Sequence, residues 1–237
     1  MKTKHLPLIA SIVIYILGAA IGFTLVLLST WAGVEAQFYG FSRRANTPLT
    51  GFHCPIFLTP GETGKVSLRV SNPTSGPLSP NVRADISTPG MPALTTQSVK
   101  LAPGESKTLE WTIGPQNVDL GHFIFVEVLV YSTYPLPTRE AICGINIINL
   151  PTNGRMIVAG MALLSLLGMG FGLVGLNRVP SPARRVLVAQ RPLLVLSILI
   201  TAAILVTFES WWGPGSILVV LILLLLMTTL GLILRTE

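Results

Sequence analysis

Charged side chains are scarce in this sequence. They make up 11% of the 237 residues, and hydrophobic residues make up 50%, whereas an average soluble domain carries about 25% charged residues. Four apolar windows, each near the length that crosses a bilayer, contain no Asp, Glu, Lys, Arg or His: residues 6–28, 156–176, 192–208 and 216–234. This shortage of charge excludes an ordinary soluble domain and predicts a multi-pass membrane protein.

The basic residues that are present have an uneven distribution. Seven of the 16 Lys and Arg residues, with one acid, lie at the termini and between the second and third windows, and these parts account for the net charge of +6. Lys and Arg in short loops stay in the cytoplasm, so we expect a cell-membrane protein with both termini cytoplasmic. The predicted segments are transmembrane helices at 6–30, 155–177, 192–209 and 215–235, a basic cytoplasmic loop at 178–191, and a domain outside the cytoplasm at 31–154. A start of the third helix near Ala183 is the alternative to its start at residue 192.

The first window has a second interpretation as a signal peptide. The sequence "VEAQ" (34–37) has small residues at a spacing suited to cleavage after Ala36. A signal peptide has an apolar core of about 7–15 residues, and the apolar stretch here is longer. We therefore expect an uncleaved membrane anchor.

Membrane lipid is the first expected partner. Trp concentrates at membrane interfaces and basic residues lie on the cytoplasmic side, so seven residues are predicted to lie at the interfaces: Trp31, Trp211, Trp212, Arg178, Arg184, Arg185 and Arg191. No basic stripe occurs away from the membrane flanks, so we expect no nucleic-acid partner.

The sequence also lacks the short motifs of common catalytic and metal sites. It contains no G-x-S-x-G, G-x-x-x-x-G-K, H-E-x-x-H or C-x-x-C. Proton relays and coupled transporters need ionisable groups inside the bilayer, and the apolar windows contain none. We expect no catalytic residue, no metal ligand and no cofactor. A membrane enzyme or transporter component is the alternative, which would depend on hydroxyls such as Tyr15 and Ser197.

Cysteine occurs only twice, at Cys54 and Cys143, and both residues lie in the segment predicted to be outside. An oxidising compartment permits a disulfide there. Two buried free thiols, or a zinc site that includes His53 and His122, are the alternatives, although no metal-ligand spacing is present. We predict the disulfide, which would fasten the entry and the exit of the outer domain.

Small residues form stripes in the first two windows. Gly18 and Gly22 form a G-x-x-x-G pair in the first window, and such stripes let helices approach closely. The second window has a similar stripe. The predicted helix-packing residues are Gly18, Gly22, Ser165, Gly168, Gly172 and Gly175. We expect them to pack within this chain, with a partner subunit as the alternative.

The segment between the first two windows has the pattern of an all-β domain. Seven short runs with period two are separated by turn residues, which is typical of a two-sheet sandwich: residues 53–58, 65–71, 81–87, 97–101, 108–113, 122–132 and 141–150. One phrase occurs twice, in "LTPGETGKVSLRVSN" (58–72) and "LAPGESKTLEWTIG" (101–114). Pro-Gly suits the centre of a type II turn, and the strands that follow the two turns should be neighbours in one sheet.

These residues resemble a known group of modules. The stretch "VSLRVSNPTSGPLSPNVRADIS", followed by "LAPGESKTLEWTI", is similar to the membrane-anchored immunoglobulin-like bacterial sandwiches related to CARDB domains, over about residues 54–150. The resemblance implies a fold, contact with protein or glycan outside the cell, and no site residues. The complete prediction is four transmembrane α-helices with an extracytoplasmic all-β immunoglobulin-like sandwich inserted between helices 1 and 2.

From this architecture we expect a non-enzymatic protein of the bacterial envelope. Its outer domain would bind a protein partner as an accessory or structural subunit of an envelope complex. A four-span cell-contact protein with a layout like that of claudins is an alternative, although the W-G-L-W signature of claudins is missing.

Overall fold

The computed structural model describes residues 6–41, 45, 47–131, 134, 136–178 and 184–235. The chain divides into two compact units. A helical unit comprises Met1–Thr30 and Ile157–Glu237, and a β unit comprises Trp31–Met156.

Four helices in the described residues are long and apolar enough to cross a membrane. They are α1 (Leu6–Phe38), α2 (Gly154–Asn177), α3 (Arg184–Phe208) and α4 (Trp212–Arg235). The chain therefore has the helices of a multi-pass membrane protein, as the four apolar windows predicted.

Two helices extend beyond their predicted bounds. Helix α1 continues past residue 30 to Phe38, because no proline interrupts this stretch and the first glycine in a left-handed conformation is Gly40, with φ of 93°. Helix α3 begins at Arg184, next to the alternative start near Ala183, so residues 184–191 are helical and do not belong to the predicted loop, and Pro192 lies inside the helix. The residues before Pro192 are good helix formers, and this proline removes only one backbone donor.

Nine strands are formed by the described residues between α1 and α2. They are β1 (Thr47–Pro48), β2 (Phe52–His53), β3 (Phe57–Leu58), β4 (Gly64–Ser71), β5 (Asn81–Ile86), β6 (Ala93–Ser98), β7 (Ser106–Ile113), β8 (Phe123–Tyr131) and β9 (Arg139–Ile147). The larger sheet has the order β1-β9-β8-β5-β6, with β3 also paired to β9, and the smaller sheet has the order β2-β4-β7.

The core lies between the two sheets and consists of alternate residues of their strands. Val66, Leu68 and Val70 of β4 face the core together with Trp111 and Ile113 of β7. On the larger sheet the core-facing residues include Val82, Ala84, Ile86, Ile124, Val126, Val128, Val130 and Ile145. Period two in the sequence therefore gives β4, β5 and β7 a core-facing side, whereas the central strand β8 is buried on both faces.

The repeated phrase forms two equivalent turns. Gly61 and Gly104 have φ of 85° and 73°, the left-handed values that a type II turn requires. In each turn the glutamate that follows reaches back to an amide, with 2.9 Å between Thr59 N and Glu62 Oε2 and 2.7 Å between Ala102 N and Glu105 Oε2. The strands that leave the turns, β4 and β7, pair antiparallel over their whole length, as the repeat predicted.

Two predicted strands were wrong. The run 53–58 is broken after His53, and its two halves, β2 and β3, belong to different sheets, because Pro55 lies between them and the chain crosses from one sheet to the other there. The run 97–101 ends at Ser98, and the strand begins earlier, at Ala93. Val99 and Leu101 lie in the core, and backbone pairing continues past β6, with hydrogen bonds from Val99 N to Pro80 O and from Leu101 N to Leu78 O.

Candidate functional site

One face of the larger sheet, opposite the core, is partly covered by the end of α1. Ala32 and Ala36 of this helix pack against Phe123, Phe125 and Ile142. Such a close approach requires a glycine in β9, because a Cβ atom at Gly144 would collide with the carbonyl oxygen of Ala32.

The residues after α1 extend this cover. The ring centroids of Tyr39 and Phe125 lie 4.4 Å apart, and the Tyr39 hydroxyl donates a hydrogen bond to Asp119. Burial, together with the Asp119 carboxylate, raises the pKa of Tyr39 to about 12. Further along the chain, the Ala45 amide donates a hydrogen bond to Glu140 Oε2 at 2.9 Å.

Three buried acids lie on this same face of the sheet. Asp85 of β5 is directly opposite Glu127 of β8, and Glu140 of β9 is diagonal to Glu127 in the register of β8 and β9. Arg83, two residues before Asp85, binds that carboxylate through two hydrogen bonds of 2.8 and 2.7 Å. Asp85, Glu127 and Glu140 together form what we call the carboxylate cluster.

Glu127 is the central member of the carboxylate cluster, because β8 lies between β5 and β9. Glu127 is only 4% exposed. Burial is the largest cause that raises its pKa to about 7, and the charges of Glu140 and Asp85 and a hydrogen bond with Glu140 add to the shift. The positive charge of Arg83 opposes this shift. Glu127 Oε1 is buried and has no hydrogen-bond partner. Glu127 therefore titrates near neutral pH.

The carboxylate cluster was not predicted from the sequence. Each acid interrupts an apolar strand in "VRADI", "FVEVL" and "REAIC", and that interruption is the signal that could have found it. In the part of the chain that the structure describes, no group of three or more His, Cys, Asp and Glu residues is arranged to hold a metal ion.

The predicted disulfide is confirmed. Cys54 and Cys143 are bonded, with their Cα atoms 6.6 Å apart, and neither cysteine is free. Cys143 lies in β9 and points into the core. Cys54 does not open a strand but lies between β2 and β3, so the bond fixes the crossing segment to the larger sheet.

The uncovered edge of the larger sheet is its terminal strand, β6. This strand pairs only with β5, five of its six residues are exposed, and its sequence, "ALTTQS", has no charge. The exposed edge strand of the smaller sheet, β7, carries Lys107 and Glu110, and charge is a common protection of an edge against pairing. Strand β6 lacks that protection.

The predicted helix-packing residues lie in the helical unit. A Cβ atom at Gly18 would lie 2.7 Å from the Met169 backbone nitrogen and 2.8 Å from Gly168 Cα. Gly22 approaches the Ser165 side chain, Gly172 approaches Tyr15, and Gly175 approaches Ser11. These contacts are all within this chain.

The residues predicted for the membrane interfaces lie near helix ends. Trp31 lies in α1, Trp211 precedes α4 and Trp212 begins it, and Arg178 follows α2. The other three arginines, Arg184, Arg185 and Arg191, lie in α3.

Known structures share only a fold with parts of this chain. The CARDB domain of a Pyrococcus furiosus protein, solved in complex with di-metal ions, is 16% identical with a TM-score of 0.33, and the match covers 45% of this chain and 100% of that domain. A β-glucosidase from Erythrobacter marinus is 17% identical (TM-score 0.28), and the match covers 39% of this chain and 14% of the enzyme. A Paenibacillus cycloisomaltooligosaccharide glucanotransferase complexed with cycloisomaltoheptaose is 14% identical (TM-score 0.32), and the match covers 43% of this chain and 14% of that one.

The resemblance to CARDB-type modules that the sequence predicted is thus a resemblance of fold at low identity. No protein family and no curated protein matches the chain.

Proposed function

We propose that this chain is a non-enzymatic protein of the bacterial cell membrane that binds a protein partner through its β unit. In this proposal both termini are cytoplasmic, residues 31–154 form an immunoglobulin-like domain outside, and the protein is an accessory or structural subunit of an envelope complex. The positive charge beside the apolar helices supports this orientation.

The free edge of the larger sheet carries the proposal. Strand β6 presents a row of backbone donors and acceptors on the side away from β5, and exposed, uncharged edges of this kind accept an additional strand. The other edge of the same sheet is less suitable, because β1 is only two residues long and includes Pro48. The edge of the smaller sheet carries charge at Lys107 and Glu110.

The expected partner segment is extended and mostly uncharged. Backbone hydrogen bonds to β6 would supply part of the affinity, and the side chains that flank the edge would supply the specificity. Leu94 is exposed beside this edge and would contact an apolar side chain of the partner.

A photocrosslinking amino acid at Thr95, in the middle of β6, tests the proposal in native membranes. The matched control places the same amino acid at Thr112, which is exposed on β7. We expect a protein adduct from position 95 and none from position 112. Mass spectrometry should locate the crosslink in an extended segment of the partner.

A second comparison uses two threonine-to-lysine variants. Thr95→Lys places a charge on the β6 edge and should abolish co-purification of the crosslinked partner, whereas Thr112→Lys should leave it unchanged. Absence of an adduct at position 95, or retention of the partner by Thr95→Lys, would overturn the role of β6.

A further inference from the structure

The connections of the β unit lie at two opposite ends of its sheets. The register places Ile86 opposite Val126 and Phe123 opposite Asn146, so the loop 87–92, the turn 118–122 and the linker 148–153 leave the larger sheet at the same end. We call these three segments the α2-end loops.

The start of α2 is at this end as well. The Gly154 amide donates a hydrogen bond to Glu62 Oε2 at 2.9 Å. The backbone of Gly154 also lies close to Phe57, because a Cβ atom at Gly154 would collide with the carbonyl oxygen of Phe57. Phe57 pairs with Asn146 near the end of β9. The apolar stretch of α2 that could cross a membrane begins at the same Gly154, so this end of the β unit is the one joined directly to that helix.

Each of the α2-end loops exposes one large apolar side chain. Met91 is 81% exposed, Leu120 is 58% exposed and Leu150 is 47% exposed. None of the three fills the core, and burial of apolar area therefore does not explain their presence.

Leu120 is unusual in its backbone as well. Its φ is 47°, in the left-handed region that suits glycine or asparagine and is unfavourable for leucine. An exposed leucine in that conformation adds nothing to folding, and a contact outside the β unit would give it a role.

The opposite end of the sheets has a different surface. The connections there include residues 72–80 and 99–105, and the exposed residues near them include Lys100 and Lys107. Tyr134 is an exposed aromatic residue at this opposite end. The three α2-end loops each present a large apolar side chain, and exposed basic residues at this end include Arg155 and His122.

We infer that Met91, Leu120 and Leu150 insert into the lipid headgroup region and form a membrane-contacting rim around the start of α2. Apolar side chains gain free energy when they leave water for the boundary between headgroups and acyl chains. Arg155 would remain at the level of the phosphates. The rim is separate from the β6 edge and does not depend on the partner proposed for that edge.

Site-specific labelling of the full-length protein tests the rim. Met91→Cys, Leu120→Cys and Leu150→Cys are prepared singly, each with an environment-sensitive fluorophore on the new thiol, while the Cys54–Cys143 bond remains oxidised. The control is Ser75→Cys, an exposed position in the loop 72–80 at the opposite end. The proteins are reconstituted into vesicles of equal parts phosphatidylcholine and phosphatidylglycerol, with acyl chains brominated near the headgroup.

We expect the labels at positions 91, 120 and 150 to lose most of their fluorescence in brominated vesicles relative to unbrominated ones. The label at position 75 should keep its fluorescence. Quenching at two or more of the three positions, without quenching at position 75, supports the rim. Quenching at fewer than two, or equal quenching at position 75, overturns it. A blue-shifted but unquenched label, which would indicate a protein contact, also overturns it.

Discussion

Replacement of Glu127 by glutamine tests the protonation that the structure assigns to the carboxylate cluster. In the folded chain the pKa of Glu127 rises from 4.5 to about 7, and each pKa unit corresponds to about 1.4 kcal/mol. Ionisation of Glu127 therefore costs the folded state about 3 kcal/mol. The amide of the Glu127→Gln variant would stay neutral at every pH and could still donate a hydrogen bond to Glu140.

The sign of the pH dependence follows from the raised pKa. Between 4.5 and about 7 the folded protein binds more protons at Glu127 than the unfolded chain does, so the stability of the wild type falls as the pH rises through this window. Near pH 4, below the unfolded pKa, the wild type and Glu127→Gln should have about equal free energies of unfolding. Near pH 8 the variant should be more stable by about 3 kcal/mol.

Urea unfolding of the full chain in detergent measures this difference. Trp111 lies in the core and reports on the β unit when Trp31, Trp211 and Trp212 are replaced by phenylalanine. The matched control is Glu110→Gln, which removes an exposed carboxylate that pairs with a lysine on β4. The control should follow the pH dependence of the wild type. If Glu127→Gln differs from the wild type by the same amount at both pH values, the reasoning is refuted.

Three further changes test other parts of the β unit. Cys54→Ser opens a disulfide loop with a sequence separation of 89 and should lower the free energy of unfolding by about 4–5 kcal/mol, as measured by thermal unfolding. Glu62→Gln weakens three hydrogen bonds and should cost about 1–3 kcal/mol in urea unfolding, more than Glu105→Gln, which weakens a single bond to an amide. Gly144→Ala should destabilise the contact between α1 and β9 by about 1–3 kcal/mol, whereas Gly76→Ala, which faces open space, is the neutral control in the same assay.

For each of these three variants, one result would contradict the expectation. Two reactive thiols per wild-type chain, denatured without reductant, would rule out the disulfide. Hydrogen bonds to the charged Glu62 lower its pKa although burial alone would raise it, so the cost of Glu62→Gln should shrink as the pH falls below 4.5. If Glu62→Gln lowers the free energy of unfolding by the same amount in acid, the hydrogen bonds of the charged Glu62 do not stabilise the fold. Equal stability of the Gly144 and Gly76 variants would argue against close contact between α1 and β9.

The membrane helices could be predicted from the sequence because the signal is local. A span needs about 20 consecutive apolar residues without charge, and this property does not depend on what the segment contacts. The repeated turn is local in the same way. Pro-Gly sets the backbone of the turn and alternation sets the buried face, so the neighbouring positions of β4 and β7 followed from the repeat. The two cysteines in one predicted domain were sufficient to suggest their bond.

The tertiary structure decided what depends on partners distant in sequence. The part of α1 beyond residue 30 packs against the larger sheet, and that close contact requires Gly144, more than a hundred residues later. The break in the run 53–58 depends on which sheet each half joins.

The carboxylate cluster shows the same limit. Asp85, Glu127 and Glu140 meet only because β5, β8 and β9 are neighbours, and the order of strands in a sheet is set by contacts between segments that no local pattern records. The alternation within each strand places an acid on the face opposite the core, but only the strand order brings Asp85 and Glu140 close enough to Glu127 to raise its pKa.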